Sequence, residues 1–248
     1  MAVVNNKNLP SARRILSMGF KKWRANIKPL LYIGLIWLAV ETTLSFLGEI
    51  SLLASQIWFV LMFTILIWLF SRSGSSRNQD QPTLSQLFYT GSANFFKQAL
   101  VLIVFIIYLI PFTLGAGLAQ FINLYQFSPS PVELSLARTA WLVFSVISGY
   151  WLLRAWVAPL YISTLTPLKA IKRSWQVSKG KMPWVFRCVG LGFLVATLPL
   201  VFIQALFLLP LQSEWWFFTI NTVANFITYI YSLPLLISTA YKIKNYAQ

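Results

Sequence analysis

The sequence predicts an all-α polytopic membrane protein: six transmembrane helices forming three hairpins, each preceded by a cytoplasmic amphipathic elbow helix. Three observations carry that reading. Of 248 residues, 58% are apolar and only 10% charged, and the mean hydropathy of +0.69 lies well above that of a soluble domain. Six runs are long and apolar enough to cross a hydrocarbon core about 30 Å thick, which takes about 20 helical residues. Of the 20 basic residues, all but Arg138 and Arg154 lie in alternate connecting segments.

The spans are expected at about 29–47, 52–70, 98–118, 139–162, 188–209 and 215–238, in one membrane domain covering 1–248. The first follows a basic stretch of 28 residues and has no small-residue cleavage site just after it. It is therefore expected to be a retained span and not a signal peptide. Every Lys and Arg except Arg138 and Arg154 lies in 1–28, 71–97, 163–187 or 239–248, where Asp80 is the only acid. Glu49, Glu133 and Glu214 fall in the other three segments. Lys and Arg resist translocation, so both termini are expected in the cytoplasm, and the membrane is expected to be a bacterial cytoplasmic (inner) membrane. Nucleic acid is not expected as a partner, because the +15 charge is scattered among helix-flanking segments and not gathered on a soluble surface.

The elbows rest on periodicity. In 11–27, Ala12, Ile15, Leu16, Gly19, Phe20, Trp23 and Ile27 share one face, opposite Arg14, Lys21, Arg24 and Lys28. That pattern predicts an interfacial helix. A shift of 72 residues places Leu84, Leu87, Phe88, Gly91 and Phe95 on Ala12, Ile15, Leu16, Gly19 and Trp23, and a further 84 brings Leu168 into line. Three copies of one unit follow, or else three unrelated basic linkers of similar pattern. The stretch 71–82, SRSGSSRNQDQP, is expected to be a mobile cytoplasmic loop. Trp68, Trp175 and Trp184 on the inner side and Trp141, Trp215 and Trp216 on the outer side are expected to anchor the span ends at headgroup depth.

The side-chain inventory argues against catalysis. Histidine is absent, Cys188 is the only cysteine, and the five carboxylates fall on separate elements, which leaves no nucleophile–base pair and no metal-ligand cluster. No phosphate-cradling glycine loop occurs either. No enzymatic activity, metal or cofactor is expected.

The polar residues inside apolar runs are the candidates for function. Glu41 and Arg154 have matched depths and opposite signs, so they either pair or lie apart, with Arg154 snorkelling to the inner headgroups and Glu41 at an early-ending outer boundary. Asn221, Asn225, Thr228 and Ser232 fall at i, i+4, i+7 and i+11 in the sixth span, with Gln204 of the fifth as a partner across helices. The stripe reads either as packing glue or as a transport path. Ser145 and Gly149 predict a close small-residue contact. Pro111, Pro159, Pro199 and Pro234 interrupt four spans and free carbonyls that must be satisfied internally.

The run Arg154-Ala-Trp-Val-Ala-Pro159, followed by Ala170-Ile-Lys-Arg-Ser-Trp-Gln-Val-Ser-Lys-Gly180, resembles a six-span bacterial membrane family. This is the membrane domain attached to some glycerophosphoryl diester phosphodiesterases, and related stand-alone membrane proteins share its arginine, proline and Ser-Trp elbow. The resemblance runs from about residue 150 to the terminal Tyr-Lys-Ile-Lys-Asn-Tyr. It implies a six-span fold but no phosphodiesterase activity, since no such domain is present.

Physically, the third elbow should lay Leu168, Ile171 and Trp175 on the bilayer. Lys169, Lys172, Arg173, Lys179 and Lys181 would then face headgroups, as would Arg13, Arg14, Lys21 and Arg24 on the first elbow. Anionic membrane lipid is the expected partner, and other membrane subunits are a further one. The expected function is a non-catalytic scaffold, a lipid-interacting protein or an accessory subunit; the alternative is a small-molecule or lipid transporter using the polar stripe.

Overall fold

The structure, a computed structural model, describes residues 9–44, 50–72, 83–125, 130–206 and 222–247. The helices are α1 (Ala12–Ala25), α2 (Ile27–Leu44), α3 (Ser51–Arg72), α4 (Leu84–Tyr125), α5 (Pro131–Ala155), α6 (Pro167–Ser178), α7 (Met182–Leu206) and α8 (222–247). A 3₁₀ turn, Ala158–Tyr161, follows α5, and a π turn, Thr228–Ser232, lies within α8. Six of these helices are long and apolar enough to cross a membrane, so the chain is an all-α, multi-pass membrane protein.

The local chemistry explains most boundaries. Ser11 caps α1 by accepting from the Arg14 amide, and Asn26 ends it by turning its Nδ2 onto the Lys22 carbonyl at 2.8 Å. Ser130 and Glu133 form a reciprocal capping box at the start of α5, with Pro131 at the first helical position. Gly180, at φ +75, makes the left-handed turn between α6 and α7 that other residues resist.

The second unit differs from the expected elbow. Residues 84–97 are continuous with the span in one helix of 42 residues, about 63 Å long at 1.5 Å per residue. Nothing between Leu84 and Leu109 interrupts it: Gly91 sits inside the helix against Ile65, and there is no counterpart of Asn26 or Gly180. The stretch 71–82 lies, apart from Ser71 and Arg72, outside the described residues.

The bundle closes on α8. Its last half packs against α1 and α7, α3 lies alongside, and α4 and α5 form a long hairpin on the flank. The core runs through Trp37, Met62, Ile65, Leu66, Phe70, Val101, Ala158 and Ile243. Close approaches need small residues: Gly34 of α2 sits on Ile230, while Gly19 of α1 and Gly192 of α7 both sit on Thr239. Among the described residues the Ser145–Gly149 contact is not made. Ser145 turns back to the Trp141 carbonyl, and the space over Gly149 is open. On α5 it is Ser148, 2% exposed, that meets the neighbouring helix.

Candidate functional site

Side chains from neighbouring elements meet three of the proline breaks. Pro234 has no N–H for the Ile230 carbonyl, and Trp23 of α1 donates its indole N–H there at 2.8 Å. Pro199 likewise orphans Val195, whose carbonyl accepts from the Tyr231 hydroxyl at 3.4 Å, and Ser232 donates to the next carbonyl, Ala196, at 2.6 Å. Beside Pro111, the Phe112 amide donates to Ser148 Oγ at 3.1 Å. Pro159 instead ends α5 at Ala155, four residues earlier, and opens the 3₁₀ turn.

That ending fixes Arg154. Its guanidinium donates to the Tyr150 hydroxyl at 3.0 Å and to the Trp175 carbonyl of α6 at 3.1 Å, and it lies 4.6 Å from the Trp175 ring. In return Ser174 donates to the Arg154 carbonyl at 2.6 Å. Three polar links, to the Trp175 carbonyl, to the Trp175 ring and from Ser174, thus tie the end of the fourth span to the elbow that follows it. Among the described residues no ion pair joins Arg154 to Glu41. Glu41 lies instead within electrostatic reach of Tyr229, one turn beyond Trp37, whose ring stacks on Tyr229 at 3.3 Å. The two charges separate because α6 reaches Arg154 first, offering a carbonyl and an aromatic face.

On the polar stripe, Thr228 donates to its own Ala224 carbonyl at 2.8 Å and Ser232 to α7. Asn225 is half-buried. Asn221 and the side chain of Gln204 lie outside the described residues, as do Glu49, Glu214, Trp215 and Trp216. Trp141 is partly exposed, whereas Trp184 donates to the Pro10 carbonyl at 2.7 Å and Trp175 faces Arg154, so these two are structural ties more than free anchors.

The basic end of the molecule divides into two sets. Arg13, Arg14, Lys21 and Arg24 on α1, and Lys169, Lys172, Arg173 and Lys179 on or beside α6, are exposed. Lys181 is not: it is 8% exposed, because the Gly180 turn folds it under the start of α7. Nor do Ile171 and Trp175 lie on the bilayer. Ile171 joins Ala170, Ser174 and Val177 in the buried face of α6, and only Leu168 remains outward, at 77% exposure. The elbow's apolar side docks on protein.

The expected headgroup residues of α1 leave out Lys22, although it follows Ile15 at i+7 and Gly19 at i+3, on the side of α1 that is buried. Lys22 is 7% exposed, its Nζ stands 3.2 Å over the Tyr241 ring, and it has no hydrogen-bond partner among the described residues. Burial, reinforced by repulsion from Lys242 and Lys244, lowers its pKa from 10.5 to about 7. Lys244 in turn donates to the Leu160 carbonyl at 3.0 Å and lies 4.3 Å over the Tyr161 ring. Lys22, Lys242 and Lys244 therefore converge where α1 meets the end of α8. The described carboxylates, Glu41 and Glu133, lie near the far end of α2 and at the start of α5. Tyr150, at i−4 from Arg154, was the one partner that helical spacing alone could have named.

No protein-family model, curated protein or solved structure matches the chain.

Proposed function

We propose that this multi-pass protein resides in a bacterial cytoplasmic membrane with both termini inside. There it acts without catalysis, holding anionic lipid at the inner leaflet as a scaffold or as a subunit of a larger membrane assembly. One observation carries this reading: α1 and α6 each lock one face into the bundle and, Lys22 apart, hold their basic residues outward, as a cationic surface beside six spans. Each such residue near an anionic surface contributes about 1 kcal/mol. The contact of Arg154 with Ser174 and Trp175 supports the family resemblance as part of the proposal, since it gives the shared arginine and elbow one physical job. The hydroxyls of Thr228 and Ser232 bond to carbonyls, which favours packing over a transport path for the stripe.

The test is reconstitution in mixed phosphatidylglycerol and phosphatidylcholine, with the lipids retained on purification measured by mass spectrometry. Replacing Lys169, Lys172 and Arg173 by Gln should reduce anionic enrichment several-fold. Equal enrichment in both proteins, or labelling of this face from outside the cell, would overturn the proposal.

A further inference from the structure

A cavity of about 220 Å³ opens between α3, α4, the 3₁₀ turn and α8. Its walls are apolar throughout, with Phe63 and Ile67 of α3, Phe105 of α4, Pro159 of the turn, and Leu233 and Ala240 of α8 among them. In a water-soluble protein such a space would stay dry or take a small apolar ligand. Among membrane-length helices, the surrounding solvent is itself acyl chain.

The wall continues into charge. Leu233, Ile237, Ala240 and Lys244 fall at i, i+4, i+7 and i+11, on one face of α8, so Lys244 stands one turn, about 6 Å, beyond the cavity-lining Ala240. The same ammonium touches the carbonyl of Leu160, which is itself a cavity residue. Lys242 and the buried Lys22 lie close enough to repel one another's charge, and none of the described carboxylates is among the groups acting on Lys22. An apolar slot thus ends at a cluster of cations with no carboxylate beside it among the described residues.

We propose that this is a discrete site for one anionic phospholipid, with an acyl chain in the cavity and the phosphate at Lys244, near Lys22 and Lys242. The inference rests on the lipid-holding reading above and narrows it from a diffuse surface to one molecule. The acyl chain replaces missing side-chain contacts, and the phosphate answers the Lys244 ammonium, with Lys22 and Lys242 nearby. Lys244 keeps two further N–H donors for it beyond the one given to Leu160.

The full chain is purified, delipidated stepwise and examined by native mass spectrometry after exposure to phosphatidylglycerol, phosphatidylcholine or soluble glycerol phosphate. One phosphatidylglycerol should persist on the wild type after bulk lipid has gone. Lys244→Gln should weaken its retention about fivefold. Ala240→Phe, which fills the cavity, should abolish it. Because Ala240→Phe also threatens folding, phosphatidylglycerol brominated in its acyl chains provides a second measurement. It should quench fluorescence in the wild type more than in Trp156→Phe, since Trp156 lines the cavity.

Retention unaffected by Ala240→Phe, equal retention of phosphatidylcholine, or displacement by glycerol phosphate alone would each overturn the site. If anionic lipid is enriched around the wild type but no single molecule persists, this inference fails and the broader proposal stands. If there is no enrichment at all, both fail.

Discussion

The indole of Trp23 donates to the carbonyl of Ile230, the acceptor that Pro234 leaves without its i+4 backbone donor. A helix outside the six spans thereby completes the hydrogen bonding of the last one. The π turn Thr228–Ser232 sits at the same point, and Gly34 lets α2 approach Ile230 from another side.

Trp23→Phe keeps most of the ring packing against Phe20 and Tyr231 but removes the donor. It should destabilise the protein by about 1 kcal/mol, the net worth of one part-buried hydrogen bond. In a Pro234→Ala background residue 234 has an N–H to offer, and the penalty should shrink. Thermal unfolding of the four proteins in one lipid mixture tests this, and equal penalties in both backgrounds would contradict it.

Arg154→Lys cannot reach Tyr150 and the Trp175 carbonyl together as the planar guanidinium does. Loss of one charged hydrogen bond should cost about 1.5–3 kcal/mol and loosen α6 from the end of α5. The expected readout is faster backbone hydrogen exchange in 167–178, with little change in α2. Trp175→Leu, which retains the carbonyl, should have the smaller effect.

Lys22 makes stability depend on pH. Below about 7 it is protonated folded and unfolded alike, and folding carries the full cost of burying the charge beside Lys242 and Lys244. Above about 7 the folded protein releases that proton, while the unfolded chain holds it to the ordinary 10.5. Stability should therefore rise between these values. Lys22→Met should flatten that rise in denaturation curves taken from pH 6 to 10; an unchanged slope would assign it to another group.

The glycines separate by what surrounds them. Gly34→Ala places a methyl group into the Ile230 side chain and should cost about 1–3 kcal/mol. Gly149→Ala and Gly190→Ala meet open space within helices and should gain about 0.5–1 kcal/mol. Melting temperatures measured in the same detergent should move in opposite directions.

Much of the architecture was readable from the chain. Apolar run length gave the six candidate spans, because hydrocarbon thickness sets a minimum length for each. The helices extend past those runs, most of all at Leu84–Tyr125, since backbone hydrogen bonding continues until a cap or breaker stops it and hydropathy does not register caps. The prolines told which carbonyls would need partners but not where the partners would come from. Trp23 and Tyr231 are distant in sequence from Ile230 and Val195, and only packing brings them together.

Sequence by itself determined the class of molecule, the number of crossings and the segregation of positive charge, because each follows from local composition and the solvent it must enter. Tertiary structure decided the fate of individual charges. Arg154 went to Trp175 and Tyr150 and not to Glu41, Lys181 was buried while Lys179 stayed out, and Lys22 was drawn under α8. Periodicity places a residue on a face of its helix. What covers that face depends on which neighbour docks there, and in the low dielectric of the bundle the nearest carbonyl or aromatic ring settles where a cation can rest.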